Sequence, residues 1–234
     1  GVYTEWRDGV AVGNRVGTRG AADFRSATIA VSDLDLHDSW SSTAGAGLRL
    51  EGFLTAEVRR VHATGNVSGG GGGAIDAAGG ELVLSDLTLT GNGSRGPGGA
   101  VHAFVRSAVV APSSSSAGGV TIFATDNTAE GDGGAVALTG EEVAVDGVVC
   151  ADNISAGSGG CLFVESDAVQ VSGVRGSGDL AASRGGSLAL GATGDLQASG
   201  LSVDCGGTGT SATHGGGLAV AADGRLEMSE VEVS

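Results

Sequence analysis

The sequence has few aromatic residues, little proline, no lysine and only three cysteines. Aromatic residues make up 3% of the 234 residues. Two prolines beside 46 glycines exclude a collagen-like chain, which needs abundant proline and strict glycine triplets. No apolar run approaches the roughly 20 residues of a transmembrane helix. Cys150, Cys161 and Cys205 have no metal-type spacing. A local disulfide between the first two is open, and the odd number leaves one cysteine free or paired elsewhere.

The charge balance is acidic. The formal net charge is −15, and all twelve basic residues are arginine. An acidic surface without basic clusters argues against nucleic acid and against direct contact with an anionic membrane. We expect no cofactor. Loosely attracted calcium is the alternative that the acidic residues leave open, although no spaced carboxylate loop of the calcium-binding kind is present.

A repeated phrase of glycines, a small residue and an aliphatic residue organises the chain. A weaker first copy ends at Leu48, and successive aliphatic positions are 27, 26, 35, 26, 26 and 30 residues apart. A period of 26 residues indicates a solenoid whose units stack on their neighbours. The structural glycines of the phrase are Gly72, Gly73, Gly98, Gly99, Gly133, Gly134, Gly159, Gly160, Gly185, Gly186, Gly215 and Gly216.

Each repeat contains three short stretches in which apolar residues alternate with others, so that each stretch predicts a strand with one face inward. Val58, Leu84, Val145 and Val171 are expected in one inward stack. The sequence therefore predicts an all-β, single-stranded, right-handed parallel β-helix with about 26 residues and three short strands per coil. Residues 22–234 would form the coils. Residues 1–21 would be irregular or an imperfect first coil. With repeats running to Ser234 and no signal peptide, we expect one domain of a longer protein.

A column of turn residues precedes the glycine phrase. An asparagine or aspartate lies nine residues before the aliphatic residue of five phrases, which predicts a ladder of side-chain amides at equivalent turns. Three of these asparagines begin glycosylation acceptor patterns, but a ladder amide could not carry a glycan. The members are Asn66, Asn92, Asn127, Asn153 and Asp179.

The candidate catalytic residues are Arg49, Asp76 and His102. Each follows the aliphatic residue of a phrase, so that they should point outward on three consecutive coils, as an acid–base cluster or as a surface ion pair beside a histidine. If these residues form a site, it should lie in a groove walled by the insertion Pro112 to Gly118. A second insertion covers residues 206–213. The other histidines, His37, His62 and His214, share no outward column, and no metal site is predicted.

The glycine phrases with their preceding asparagines resemble the polymorphic outer-membrane-protein repeat of chlamydial autotransporters. The resemblance runs from Gly45 to Val220. The family's second motif is a phenylalanine, two further residues and an asparagine, and its phenylalanine position is occupied here by Ala63, Leu89, Ala124 and Cys150. It implies a secreted or surface-displayed β-helical passenger, often adhesive, without an active site.

We therefore expect a structural or adhesive segment of an extracellular or cell-surface protein that is not an enzyme. Its partners would be neighbouring domains of the same chain, and host or matrix glycans or surface proteins. The alternative is a pectate-lyase-like carbohydrate-active enzyme or a polysaccharide-binding module. Because sugar clefts use exposed aromatic platforms, the few aromatic residues favour the first interpretation.

Overall fold

The computed structural model describes residues 3–16, 20–112, 120–204 and 214–234. Over these ranges the chain forms strands and no helix, so no helix offers the length and apolarity needed to cross a membrane. The strands are β1 (Tyr3–Val12), β2 (Arg15–Val16), β3 (Ala22–Phe24), β4 (Thr28–His37), β5 (Trp40–Ser41), β6 (Leu48–Thr64), β7 (Val67–Ser68), β8 (Ile75–Thr90), β9 (Gly93–Ser94), β10 (Val101–Val110), β11 (Ile122–Thr125), β12 (Thr128–Ala129), β13 (Val136–Asp146), β14 (Val148–Ala151), β15 (Ile154–Ser155), β16 (Leu162–Ser172), β17 (Arg175–Ser177), β18 (Leu180–Ala181), β19 (Leu188–Ala192), β20 (Leu196–Asp204), β21 (Leu218–Ala222) and β22 (Leu226–Val233).

The described strands stack as a parallel β-solenoid. One sheet contains 15 strands, in which the long strands of successive coils lie side by side in the order β1-β4-β6-β8-β10-β13-β16. A second sheet contains the seven two-residue strands. With about eight turns of about 26 residues, the solenoid confirms the predicted fold class.

One coil shows how the chain turns. Strand β8 contains all three predicted stretches in one bent strand, and it bends at Asp86, whose φ is 55°. A corner with positive φ at Gly91 follows, then β9, then a third such corner at Gly98. The two-residue strand β9 is too short for alternation to be visible in the sequence, so that it could not be predicted.

The core is a set of columns of aliphatic side chains. The predicted stack of Val58, Leu84, Val145 and Val171 is present, with each side chain at most 2% exposed. Val110 lies between Leu84 and Val145 in the register, which completes the column. The prediction of one inward stack is confirmed.

The two glycines of the phrase serve different purposes. Gly98 has φ 68°, in the left-handed region that side chains disfavour. A Cβ on Gly99 would collide with the carbonyl oxygen of Gly134 in the next coil. The first position therefore needs glycine for its backbone angle, and the second for the close stacking of coils.

The two ends of the solenoid differ from the middle. Strand β1 pairs in register with β4, and β2 pairs with β5, so that residues 3–16 lie on the first full coil as a coil themselves. In the last coil, residues that continue the inward columns are 37–50% exposed: Leu226, Met228, Val231 and Val233.

The first predicted insertion lies outside the described residues from residue 113 onward. The second insertion, residues 206–213, and Cys205 also lie outside them. The first insertion separates β10 from β11. In β8 the chain bends at Asp86 without leaving the strand. Because β11 pairs with the part of β8 that follows Asp86, the first insertion takes the place of this bend in its own coil.

Candidate functional site

The outward column predicted from the glycine phrase forms one line across the large sheet. Arg49 pairs with Asp76, and Asp76 pairs with His102. The column begins one coil earlier than the sequence indicated, because Asp23 pairs with Arg49. The residues before Asp23 carry only a degenerate glycine phrase, which is why this member was missed. Four charged or titratable side chains therefore follow one another on consecutive coils.

Asp76 and His102 form a direct pair. The Nδ1 atom of His102 lies 2.7 Å from Oδ1 of Asp76. The sequence left open an acid–base cluster or a surface ion pair, and Asp76 is only 6% exposed, which does not fit the surface ion pair. The His102 ring packs against Gly71, where a Cβ would lie 2.6 Å from Nδ1. The glycine corner thus leaves the space in which the imidazole meets the carboxylate.

Arg49 joins this pair to a wider charge network. Its Nε lies 3.9 Å from Oδ2 of Asp76, and its guanidinium also pairs with Glu51. Glu51 accepts from Arg25, whose Nη2 is 2.6 Å from the carboxylate. Acidic and basic side chains therefore alternate across these strands. Chemically, a carboxylate bonded to one imidazole nitrogen fixes the tautomer of the ring, as the orienting residue of a general base does.

The cavities lie beside the pair rather than over it. A cavity of about 620 Å³ is lined by Arg25, Ser26, Ala27, Glu51, Gly52, Leu54 and Ala78, and Asp76 and His102 are outside this lining. The expected groove wall, the insertion Pro112 to Gly118, lies outside the described residues from 113 onward. Ala111 comes directly before this insertion and donates its N–H to the Leu84 carbonyl. The insertion therefore begins after the last residue of β10, whereas His102 lies at the start of that strand.

Toward the other end of the solenoid the outward column becomes apolar. Ala137, Phe163, Ala189 and Ala219 continue it in register. The last three line a cavity of about 570 Å³, together with Arg184 and His214. The polar and the apolar part of the column are therefore separate surfaces.

The five predicted turn residues form a buried column. From Asn92 onward, the side-chain oxygen of each member accepts two bonds from the preceding one, as Asn127 Oδ1 does from the backbone N–H and Nδ2 of Asn92, both at 3.0 Å. Each asparagine Nδ2 also donates to a backbone carbonyl of the preceding coil, such as Ala63 for Asn92. All members are at most 1% exposed. The three amides in glycosylation patterns are therefore enclosed.

The residue before each ladder residue has left-handed backbone geometry. Positive φ angles occur at Gly65, Gly91, Asp126, Asp152 and Gly178, each one position before a ladder residue. The ladder side chains bond across coils, while the preceding residue makes the corner. Ser39 extends the column by one coil, because its N–H donates to Oδ1 of Asn66 at 3.1 Å.

Asp179 is the last ladder member among the described residues and the one ionisable member there. It accepts from Asn153 Nδ2 at 2.8 Å and from the hydroxyl of Ser187 at 2.8 Å. Burial raises its pKa to about 6, against the lowering effect of these hydrogen bonds. The inward pattern lapses at Gly176 because the Ser187 hydroxyl occupies the space of a side chain there.

Cys150 and Cys161 form a disulfide in the core. The two cysteines belong to two columns that touch inside the solenoid. On the following coil, Gly176 takes the place of Cys150, and Ser187 takes the place of Cys161. The same contact between two columns thus holds a disulfide in one coil and a hydroxyl against a glycine in the following coil. The sequence left this pairing open because the column contact was not visible in it.

His37 and His62 share no column, as predicted, because His37 pairs with Thr64 and His62 pairs with Asp35, but their rings meet diagonally. The rings of His37 and His62 are 5.4 Å apart between centroids, on neighbouring coils. Asp35 pairs with His62 in the strand register and completes a group of three. His214 lies apart from them, in an isolated bridge with Arg184.

Comparison with protein-family models, with curated proteins and with solved structures found no match to this chain.

Proposed function

We propose that this chain is a structural and adhesive segment of a secreted or cell-surface protein. The observation that carries the proposal is the unbroken stack of coils, in which a buried amide ladder and a continuous aliphatic core run along the solenoid. Such a stack makes a stiff rod, because each coil is hydrogen-bonded to both neighbours. The outward residues are then free to contact partners.

Three further features support this proposal. A core disulfide suits the oxidising environment of secreted proteins. The register of 26 residues and the glycine phrases support the finer assignment to the polymorphic outer-membrane-protein repeat. On the small sheet, outward Trp40, Val67 and Ile154 are 43–46% exposed and offer apolar contacts to a glycan or a surface protein.

The partner at the last coil is proposed to be a further coil of the same pattern. The exposed residues Leu226 and Val231 continue the columns of Leu196 and Leu201. Uncovered apolar residues of this kind promote self-association. We expect the chain to self-associate in sedimentation velocity and the double change Leu226→Ser, Val231→Ser to reduce this association. An unchanged sedimentation coefficient in the variant would contradict this partner.

A carbohydrate-active enzyme is the second candidate, and the bonded pair of Asp76 and His102 favours it. Against it, the exposed aromatic residues Tyr3, Trp40, Phe104 and Phe123 lie on four different strands that do not pair with one another. They do not form the stacked platform that a sugar cleft needs.

One experiment separates the two candidates. Wild type, His102→Ala and a variant lacking residues 66–91 are tested on a glycan array, on immobilised matrix proteins and for polysaccharide cleavage. The deletion removes one 26-residue coil and joins Gly65 to Asn92, so that the ladder keeps its spacing while Asp76 is lost. A structural and adhesive rod should stay folded, shorten by about 4.8 Å in solution scattering and keep its binding. Cleavage by wild type that His102→Ala abolishes would establish the enzyme instead.

A further inference from the structure

Four outward side chains form a square on two neighbouring coils near the start of the solenoid. Asp35 pairs in register with His62, and His37 pairs with Thr64. Their inward neighbours, such as Leu36 and Ala63, are fully buried, so that the outward direction of the four is fixed by the strand alternation. Asp35 and His62 are exposed, and His37 and Thr64 are half-buried.

The two imidazoles and the carboxylate already converge. One ligand atom from each of Asp35, His37 and His62 lies within 4.8 Å of the other two. Nδ1 of His62 is 3.6 Å from Oδ1 of Asp35, which is too long for a good hydrogen bond. Metal–ligand bonds of about 2.1 Å place tetrahedral ligand atoms about 3.4 Å apart. Small side-chain rotations would therefore bring all three atoms onto one ion.

The backbone under this group is well suited to hold it. β4 and β6 pair over their shared length in an unbroken parallel register from Leu34–Val61 to His37–Thr64. Side chains on paired strands are more exactly positioned than side chains on loops. Thr64 Oγ1 lies 3.5 Å from Nε2 of His62, beside the group.

Nearby charges also permit a cation. Asp33 and Arg60, at the bend before the group, neutralise each other through two hydrogen bonds of 2.5 and 2.7 Å. Asp35 thus supplies the charge of the group itself, and the chain as a whole carries a net charge of −15. Both features favour a divalent ion over an anion.

We propose that Asp35, His37 and His62 form a surface site for a divalent transition-metal ion such as Zn²⁺, with water in the remaining position. Two neutral imidazole nitrogens select zinc, nickel or copper, whereas calcium and magnesium take all-oxygen sites. The site is independent of the proposed structural function. It would fix two coils to each other at the outer face of the rod.

Isothermal titration calorimetry of the chain without a histidine tag tests the site. At pH 7.5, wild type should bind one equivalent of ZnCl₂, while CaCl₂ gives no comparable heat. His37→Ala and His62→Ala should each raise Kd at least tenfold, and Asp35→Asn should raise it less. His214→Ala removes a histidine elsewhere and is the matched control, which should leave Kd unchanged.

Folding is checked separately by melting without metal. The melting temperatures of the variants should equal that of wild type. Absence of zinc binding by wild type would overturn the site. An equal loss in His214→Ala, or binding unaffected by His37→Ala and His62→Ala, would do the same, because the ion would then sit elsewhere.

Discussion

Replacing Asp179 with asparagine should remove a pH dependence of stability that comes from the end of the ladder. Asp179 has its pKa raised from 3.8 to about 6 by burial. Between these pH values the folded chain keeps a proton that the unfolded chain has released. The free energy of unfolding therefore falls as the pH rises from 3.8 to about 6, and the loss is complete above 6. The pKa difference corresponds to about 3 kcal/mol.

An asparagine at this place keeps the ladder intact. Its oxygen can accept from Asn153 as the aspartate does, and its Nδ2 can donate to the Ser187 hydroxyl. Urea unfolding at 25 °C, at pH 4 and at pH 7, measures the effect. Wild type should lose about 2 kcal/mol more than Asp179→Asn between the two conditions, somewhat less than the full difference because part of the unfolded chains still carry this proton at pH 4.

Glu141→Gln is the control, because it removes one exposed negative charge elsewhere. Asp33, whose pKa its hydrogen bond with Arg60 lowers to about 2 in the folded chain, is the same in wild type and variant, so that its contribution cancels in the comparison. If Asp179→Asn loses as much stability between pH 4 and pH 7 as wild type does, the assignment of the pH dependence to the ladder end is wrong.

Three further changes test the core and the outward column, each by urea unfolding. Asn127→Ala leaves a buried N–H without its acceptor and a buried carbonyl without its donor, and should lower the free energy of unfolding by about 2–6 kcal/mol; less than 1 kcal/mol would contradict a buried ladder. The double change Cys150→Ala, Cys161→Ala should lower it by about 3 kcal/mol, and adding a reductant should then have no further effect. Asp76→Ala should cost about 1–3 kcal/mol, because the carboxylate bonded to His102 is buried; a loss near zero would return the pair to the solvent-exposed class.

Much of the fold follows from the sequence because the alternation within strands and the 26-residue repeat are two independent patterns. Alternation along each strand places residues such as Leu84 inward, and the period of 26 residues places the same pattern on the next coil. The ladder could be predicted for a related reason, since Asn66 and Asn92 keep the same distance from their glycine phrases. Fixed spacing in a stacked repeat means spatial contact.

Contacts between different columns could not be predicted in this way. Whether Cys150 reaches Cys161 depends on how far the chain turns between two strands, which the spacing of eleven residues does not state. The group around His37 and His62 was missed because the residues are offset by two positions in the register and meet diagonally. The burial of Asp76 depends on the glycine corners that pack beside it, and the glycine phrase does not state which outward side chains these corners cover.

The account depends most directly on the ladder, and side-chain amide exchange measured by NMR tests it. The Nδ2 protons of Asn66, Asn92, Asn127 and Asn153 each bond to a carbonyl and to the next ladder residue inside the stack. Their exchange should therefore require global unfolding, while the half-exposed Asn14 should exchange at the rate of a free amide. Four slow amides and one fast one are the predicted result, and fast exchange at Asn92 or Asn127 would contradict the stacked solenoid.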